Sequence, residues 1–189
     1  MKRGFKTWAE NEAESTRRRL ALPVFDRLPA RRLLRHLGAI VTTPEQIPGI
    51  SESDVAQLTR ADPGAWSAIT ACCDGVCVIV VNDSHTRERQ ESSLHHEAAH
   101  LICAHTPSRI VKVAGLTLRE YDETSEAEAT WLAGCFHIPR RALVRVLRRG
   151  ADEAMVGATF VASCEMVRYR RQVTGVDRQL GAGNGRGHQ

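Results

Sequence analysis

Residues 93–105 read SLHHEAAHLICAH and place His95, His96, His100 and His105 around a single glutamate, Glu97. His96 and His100 stand four positions apart. On a helix such residues share a face, so two imidazoles can meet one ion at about 2.0–2.1 Å. Glu97 is turned about 100° from His96. It can therefore face a water polarised by the ion without becoming a ligand, and take its proton as a carbonyl is attacked. The pattern is HExxH, and the metal it fits is Zn2+. HExxH arises by chance in on the order of a few per cent of chains of this length, so its setting must add weight. Here Leu94, Ala98, Leu101 and Ile102 give the segment an apolar face, and a hairpin signal precedes it.

A catalytic zinc takes a third protein ligand. His105 is a poor one: it lies five residues after His100, where the HExxHxxGxxH pattern needs six and a glycine at the position of Cys103. One straight helix cannot bring His96, His100 and His105 to one ion. The downstream stretch SEAEATWLAGCFHIP offers Glu126 and Glu128. Glu126 is favoured because a polar residue, Thr130, follows one turn later, whereas Glu128 is followed by Leu132. Glu128 reads alternatively as a capping-box carboxylate reaching back to Ser125.

These residues need elements to hold them. The spacing predicts helices over 5–20 and from about Pro29 to His36, then a strand at GAIVT and a loop bounded by Pro44 and Pro48. AWSAITACCDGVCVIVVND reads as two strands around Asp74-Gly75. A long helix follows from about Thr86 to His105, stopped by Thr106-Pro107. Residues 107–121 read as irregular, with a short strand at RIVKV. A second site helix runs from Asp122 or Thr124 to His137 and is closed by Pro139. Residues 140–150 and 152–175 read as helical in several pieces, ahead of a flexible tail. The division is an N-terminal helical segment (1–37), a core (38–139), a helical extension (140–178) and a tail (179–189).

The chain has 189 residues, 42% hydrophobic and 25% charged, ordinary for a globular protein. No apolar run approaches the roughly 18 residues of a membrane span, and MKRGFKTWAENEAES lacks the apolar core of a secretory signal. A cytoplasmic location is expected, with Cys72, Cys73, Cys77, Cys103, Cys135 and Cys164 as reduced thiols. Charge is uneven. Residues 140–189 hold ten arginines and four acidic residues, a net +6 within an overall +4. That asymmetry fits either a solvated basic face or an acidic partner such as nucleic acid.

Taken together, NDSHTRERQESSLHHEAAHLICAH, SEAEATWLAGCFHIPRRAL, the opening KRGFKTWAE and the later ATFVASCEMVRYRRQVTGV resemble the ImmA/IrrE family of zinc metallopeptidases across most of residues 2–178. The resemblance implies an α+β, zincin-like domain: a small sheet, an HExxH helix and a glutamate-bearing helix, with a helical extension of helix-turn-helix character. It implies His96, His100 and Glu126 as zinc ligands and Glu97 as general base. It further implies a site-specific endopeptidase whose protein substrate is a helix-turn-helix repressor, in stress response or mobile-element regulation. Extended substrate could add to the strand VCVIVVN.

The chain departs from the family at Thr130, where Asp or Asn is common, and at Phe136-His137, where an apolar pair is usual. His137 is expected to be partly exposed, and His95 to lie on the surface or behind a ligand. Tyr121 is a packing residue or an oxyanion donor. The alternative function is a DNA-binding regulator with a degenerate metal site. In that reading Met155, Val156 and Phe160 pack one helix of a helix-turn-helix, and Arg168, Arg170 and Arg171 on the next meet phosphates. Val161 then stands at a turn position that usually prefers glycine.

Overall fold

The structure is a computed structural model and describes residues 1–61, 63–73, 76–107, 109–113 and 116–184. It opens with two helices, α1 (Phe5–Arg19) and α2 (Ala30–His36), before a short strand, β1 (Ile40–Thr42). The expected loop between Pro44 and Pro48 holds a 3-10 turn (Pro44–Gln46), and beyond it come a one-turn helix α3 (Glu52–Ala56) and a π turn (Gln57–Ala61). Then come β2 (Ala68–Cys73) and β3 (Val76–Val81), the latter leading into α4 (Arg87–Ile102). The Asp74-Gly75 turn itself lies outside the described residues.

Residues 107–121 are more regular than expected, with β4 (Arg109–Val113) and β5 (Leu116–Glu120) forming an antiparallel pair. Five helices follow among the described residues: α5 (Glu123–His137), α6 (Arg140–Arg148), α7 (Glu153–Phe160), α8 (Cys164–Thr174) and α9 (Val176–Asn184). Part of the expected flexible tail is thus the end of α9.

The main sheet has the order β1-β3-β2, with β1 parallel and β2 antiparallel to β3. VCVIVV is therefore the central strand. Both its edges are already hydrogen-bonded, so it cannot receive a substrate strand; that expectation is corrected. Ile79 and Val81 point from β3 into the core. Cys77, on the same strand and opposite Cys72 in the ladder, is disulfide-bonded, which corrects the expectation of six reduced thiols.

Two apolar clusters form. The first joins α1, α2, β3, α4 and α5 through residues such as Phe5, Leu33, Ile79, Leu94, Leu132 and Phe136. α5 sits deepest, with nearly every residue from Glu128 to His137 buried. The second cluster gathers α6 to α9 around Leu143, Val156, Phe160, Val167 and Val176.

Two buried arginines tie distant elements together. Arg17 donates to the carbonyls of Ala13, Asp26 and Phe136, and burial pushes its pKa down to about 10. Arg170 donates to Ile138 O and to Glu10. Among the described residues no helix is long and apolar enough to cross a membrane.

Candidate metal centre

The helix that carries His96 and His100 starts where its sequence says it should. Thr86 caps α4, its hydroxyl accepting from the Arg89 amide, so one of the unpaired amides of the first turn is satisfied. The facing helix, α5, is capped by Asp122, whose carboxylate accepts from Ser125 N at 2.8 Å. The capping-box role expected for Glu128 is thereby corrected: a shorter side chain three residues before Ser125 already holds that amide. α4 packs against α5 along its length and rests on β2 and β3. This places one face of each helix toward the other.

On those faces His96, His100 and Glu126 converge, with ligand atoms all within 4.8 Å of one another. His96 Nε2 and His100 Nε2 are 3.0 Å apart. Glu126 reaches His96 Nε2 at 3.1 Å through Oε2 and His100 Nε2 at 3.5 Å through Oε1. Four ligands at about 2.0–2.1 Å around a tetrahedral ion would stand about 3.3 Å apart, so the donor spacings and the nitrogen-nitrogen-oxygen set both fit such an ion. Glu126 is exposed and His96 partly so, while His100 is buried. Burial, and then the neighbouring His96 and His105, push the His100 pKa down to about 3, which keeps its imidazole neutral as a ligand must be.

Glu97 lies beside the cluster and not in it. Its Oε2 accepts a 2.5 Å hydrogen bond from the Thr70 hydroxyl on β2. Burial raises its pKa above the usual carboxylate range and the nearby Glu126 charge adds to this, while the Thr70 bond and His96 oppose them. No feature of the sequence pointed to Thr70, because its role depends on how β2 lies under α4.

Other expectations sort as follows. Tyr121 stacks on the His100 ring, with centroids 3.9 Å apart and planes 21° apart. His105 turns back behind His100, away from the side that faces Glu126. Glu128 is buried and accepts from the Lys2 backbone amide at 2.8 Å. His95 is neither on the surface nor behind a ligand: it is fully buried, donating from Nε2 to Leu28 O. His137 is also buried, and donates to Val161 O. Both corrections have one cause. α5 is enclosed by α1, α4 and the C-terminal helices, so its last turn is an interior site.

Thr130 lies on a cavity of about 600 Å³ between α4, α5 and α8, lined also by Arg89, Ser92, Ser163, Met166 and Tyr169. Ser92 precedes His96, and Thr130 follows Glu126, by one helical turn.

The arginines expected to meet phosphates are engaged within the chain. Arg170 is buried. Arg168 pairs with Glu153, and Arg171 with both Glu153 and Asp177.

No curated protein matches the chain. A family model does: Peptidase_M78, described as the IrrE N-terminal-like domain, matches residues 63–171. That span runs from before β2 to within α8 and includes both helices that carry the His-His-Glu cluster. It covers more than half of the chain, which therefore belongs to this peptidase family.

Proposed function

We propose that the protein is a zinc-dependent, site-specific endopeptidase whose substrate is a helix-turn-helix transcriptional repressor. The observation that carries the reading is the meeting of His96, His100 and Glu126 from two helices, with Glu97 held one step aside by Thr70. Zinc bound there supplies a Lewis acid that brings the pKa of water toward about 7. The residues do the rest. The imidazoles of His96 and His100 and the Glu126 carboxylate hold the ion. Glu97, ionised and unliganded, accepts a proton from water and returns it to the leaving amine. Substrate residues beyond the scissile bond occupy the cavity that continues one turn along α4 and α5 to α8. The repressor as substrate class follows from the family resemblance. The regulator reading is weaker, since Arg168, Arg170 and Arg171 already have acidic or carbonyl partners.

The test is co-expression with candidate repressors alongside zinc analysis of the purified protein. About one zinc per chain is expected. His96→Ala, His100→Ala and Glu126→Ala should each remove most of it, because two ligands make an incomplete site. Glu97→Gln should keep the zinc and lose turnover by roughly 10² to 10⁴-fold. A Glu97→Gln protein that retains zinc and still cleaves at the wild-type rate would exclude Glu97 as the base.

A further inference from the structure

His100 faces the proposed ion through Nε2, and its other nitrogen is also engaged. His100 Nδ1 lies 3.0 Å from Nδ1 of His105. Beyond that ring, His105 Nε2 is buried and, among the described residues, has no hydrogen-bond partner; the nearest acceptor there is Glu128 Oε2 at 3.5 Å. Glu128 is itself buried, and its second oxygen is pinned by the Lys2 amide. The side chains thus form a line from the cluster inward: His100, His105, Glu128.

We infer that Glu128, acting through His105, fixes His100 in the tautomer that presents a lone pair at Nε2. A neutral imidazole carries one N–H and one lone pair, and an ionised carboxylate only accepts. Facing that ring at 3.5 Å, Glu128 favours the His105 proton on Nε2. His105 Nδ1 is then a lone pair and can only accept, so the proton in the 3.0 Å contact belongs to His100 Nδ1. That leaves His100 Nε2 free for the ion, on the side of His96 and Glu126. Reversing the pair would put a proton on His100 Nε2, blocking the ligand position. It would also aim a His105 lone pair at a buried carboxylate, whereas the carboxylate that favours the reverse order, Glu126 at 3.5 Å from His100 Nε2, is exposed and its pull is screened by water. Carboxylates commonly orient a metal-bound histidine directly; here a second imidazole stands between.

The local fold is arranged to place His105 there. α4 ends at Ile102 with Cys103 as its cap, and Ala104 takes a left-handed conformation, φ 49°. The His105 amide then bonds back to His100 O and the Ala104 amide to Leu101 O, the paired bonds of a Schellman turn. This swings the His105 ring against Nδ1 of His100 and away from the ion. Tyr121, stacked on the His100 face, limits rotation of the ring that the relay orients. His105 and Glu128 are positioning residues: neither touches the ion or the reacting atoms.

The inference rests on the zinc reading for its purpose, but the tautomers can be read without metal. The experiment records isotope-labelled imidazole nitrogen shifts of the full metal-free chain at about pH 8, above the ordinary histidine pKa of about 6.5. Zinc affinity is measured in parallel by competition with a chelator. Wild type should show His100 protonated at Nδ1 and His105 at Nε2. Glu128→Gln offers an N–H in place of an oxygen, so both rings should shift toward the opposite tautomers, with zinc affinity falling about 10 to 100-fold. His105→Phe keeps the ring volume and ends the relay. It should give a mixed His100 tautomer and a similar loss, and it carries the test alone if Glu128→Gln does not fold. A wild-type His105 protonated at Nδ1, or zinc affinity unchanged in the folded variants, overturns the inference. Failure of the zinc reading looks different: wild-type protein with the stated tautomers that binds no zinc.

Discussion

Glu97 sits under two opposed influences, and their balance sets where a general base stops working. Burial raises its pKa and is the larger effect; the Thr70 hydroxyl, donating to the ionised form, lowers it. A base must be ionised, so activity falls as pH drops through the raised pKa. Thr70→Val keeps the shape of the side chain and removes the donor. The pKa should then rise further, and the acid limb of the kcat/KM profile should move to higher pH. A limb that stays in place or moves down would exclude the Thr70 bond as a control on the base. At this scale the shared face of His96 and His100 was legible, because four-residue periodicity is a local property of a helix. Thr70, His95 and His137 were not. Their partners, Glu97, Leu28 and Val161, are distant in the chain, and nothing near them in sequence reports that packing.

Elements were legible where their ends carry chemistry. Thr86 and Asp122 announce the starts of α4 and α5, and Pro139 closes the second. The end of α4 was misplaced by three residues because Ala104 gives no warning of a left-handed turn. β5 was missed because LTLRE alternates weakly, and its partner, β4, supplies the pairing. The turn between α7 and α8 was anticipated better. Val161, expected at a position that prefers glycine, has φ 53° and ψ 52°. For a residue with a side chain that region costs roughly 1–2 kcal/mol, while glycine adds about 0.5–1 kcal/mol of unfolded-state entropy. Val161→Gly should therefore be stabilising by about 1 kcal/mol, a rise of roughly 2–4 °C in Tm for a chain of this size. A lower Tm would mean that packing of the Val161 side chain outweighs the relief of backbone strain. Gly157 on α7 gives the opposite forecast, since an added Cβ would stand 2.7 Å from Ala162 O.

Across the whole molecule, the two apolar clusters meet at the end of α5, and that junction contains two histidines. His95 and His137 lie with ring centroids 5.0 Å apart, each donating one N–H to a carbonyl, each with Nδ1 buried and, among the described residues, unpartnered. Burial is the first cause that holds both pKa values below the ordinary range. For His95 the His137 charge adds to it, and for His137 the bond to Val161 O opposes it. The sign of the effect on stability follows from linkage. Below the unfolded-state value of about 6.5 the unfolded chain takes up protons that the folded chain refuses, so stability is full above that pH and is lost as pH falls. Each histidine can contribute up to about 1.4 kcal/mol per pH unit in that window. With metal removed, the denaturant midpoint should therefore drop as pH is lowered from neutral to weakly acidic. His137→Leu replaces one of the two protonatable rings. It should start less stable, having lost the bond to Val161 O, but should show a shallower decline by about one proton's worth of slope. Parallel declines in wild type and variant would place the acid sensitivity elsewhere, with His100 the next residue to test.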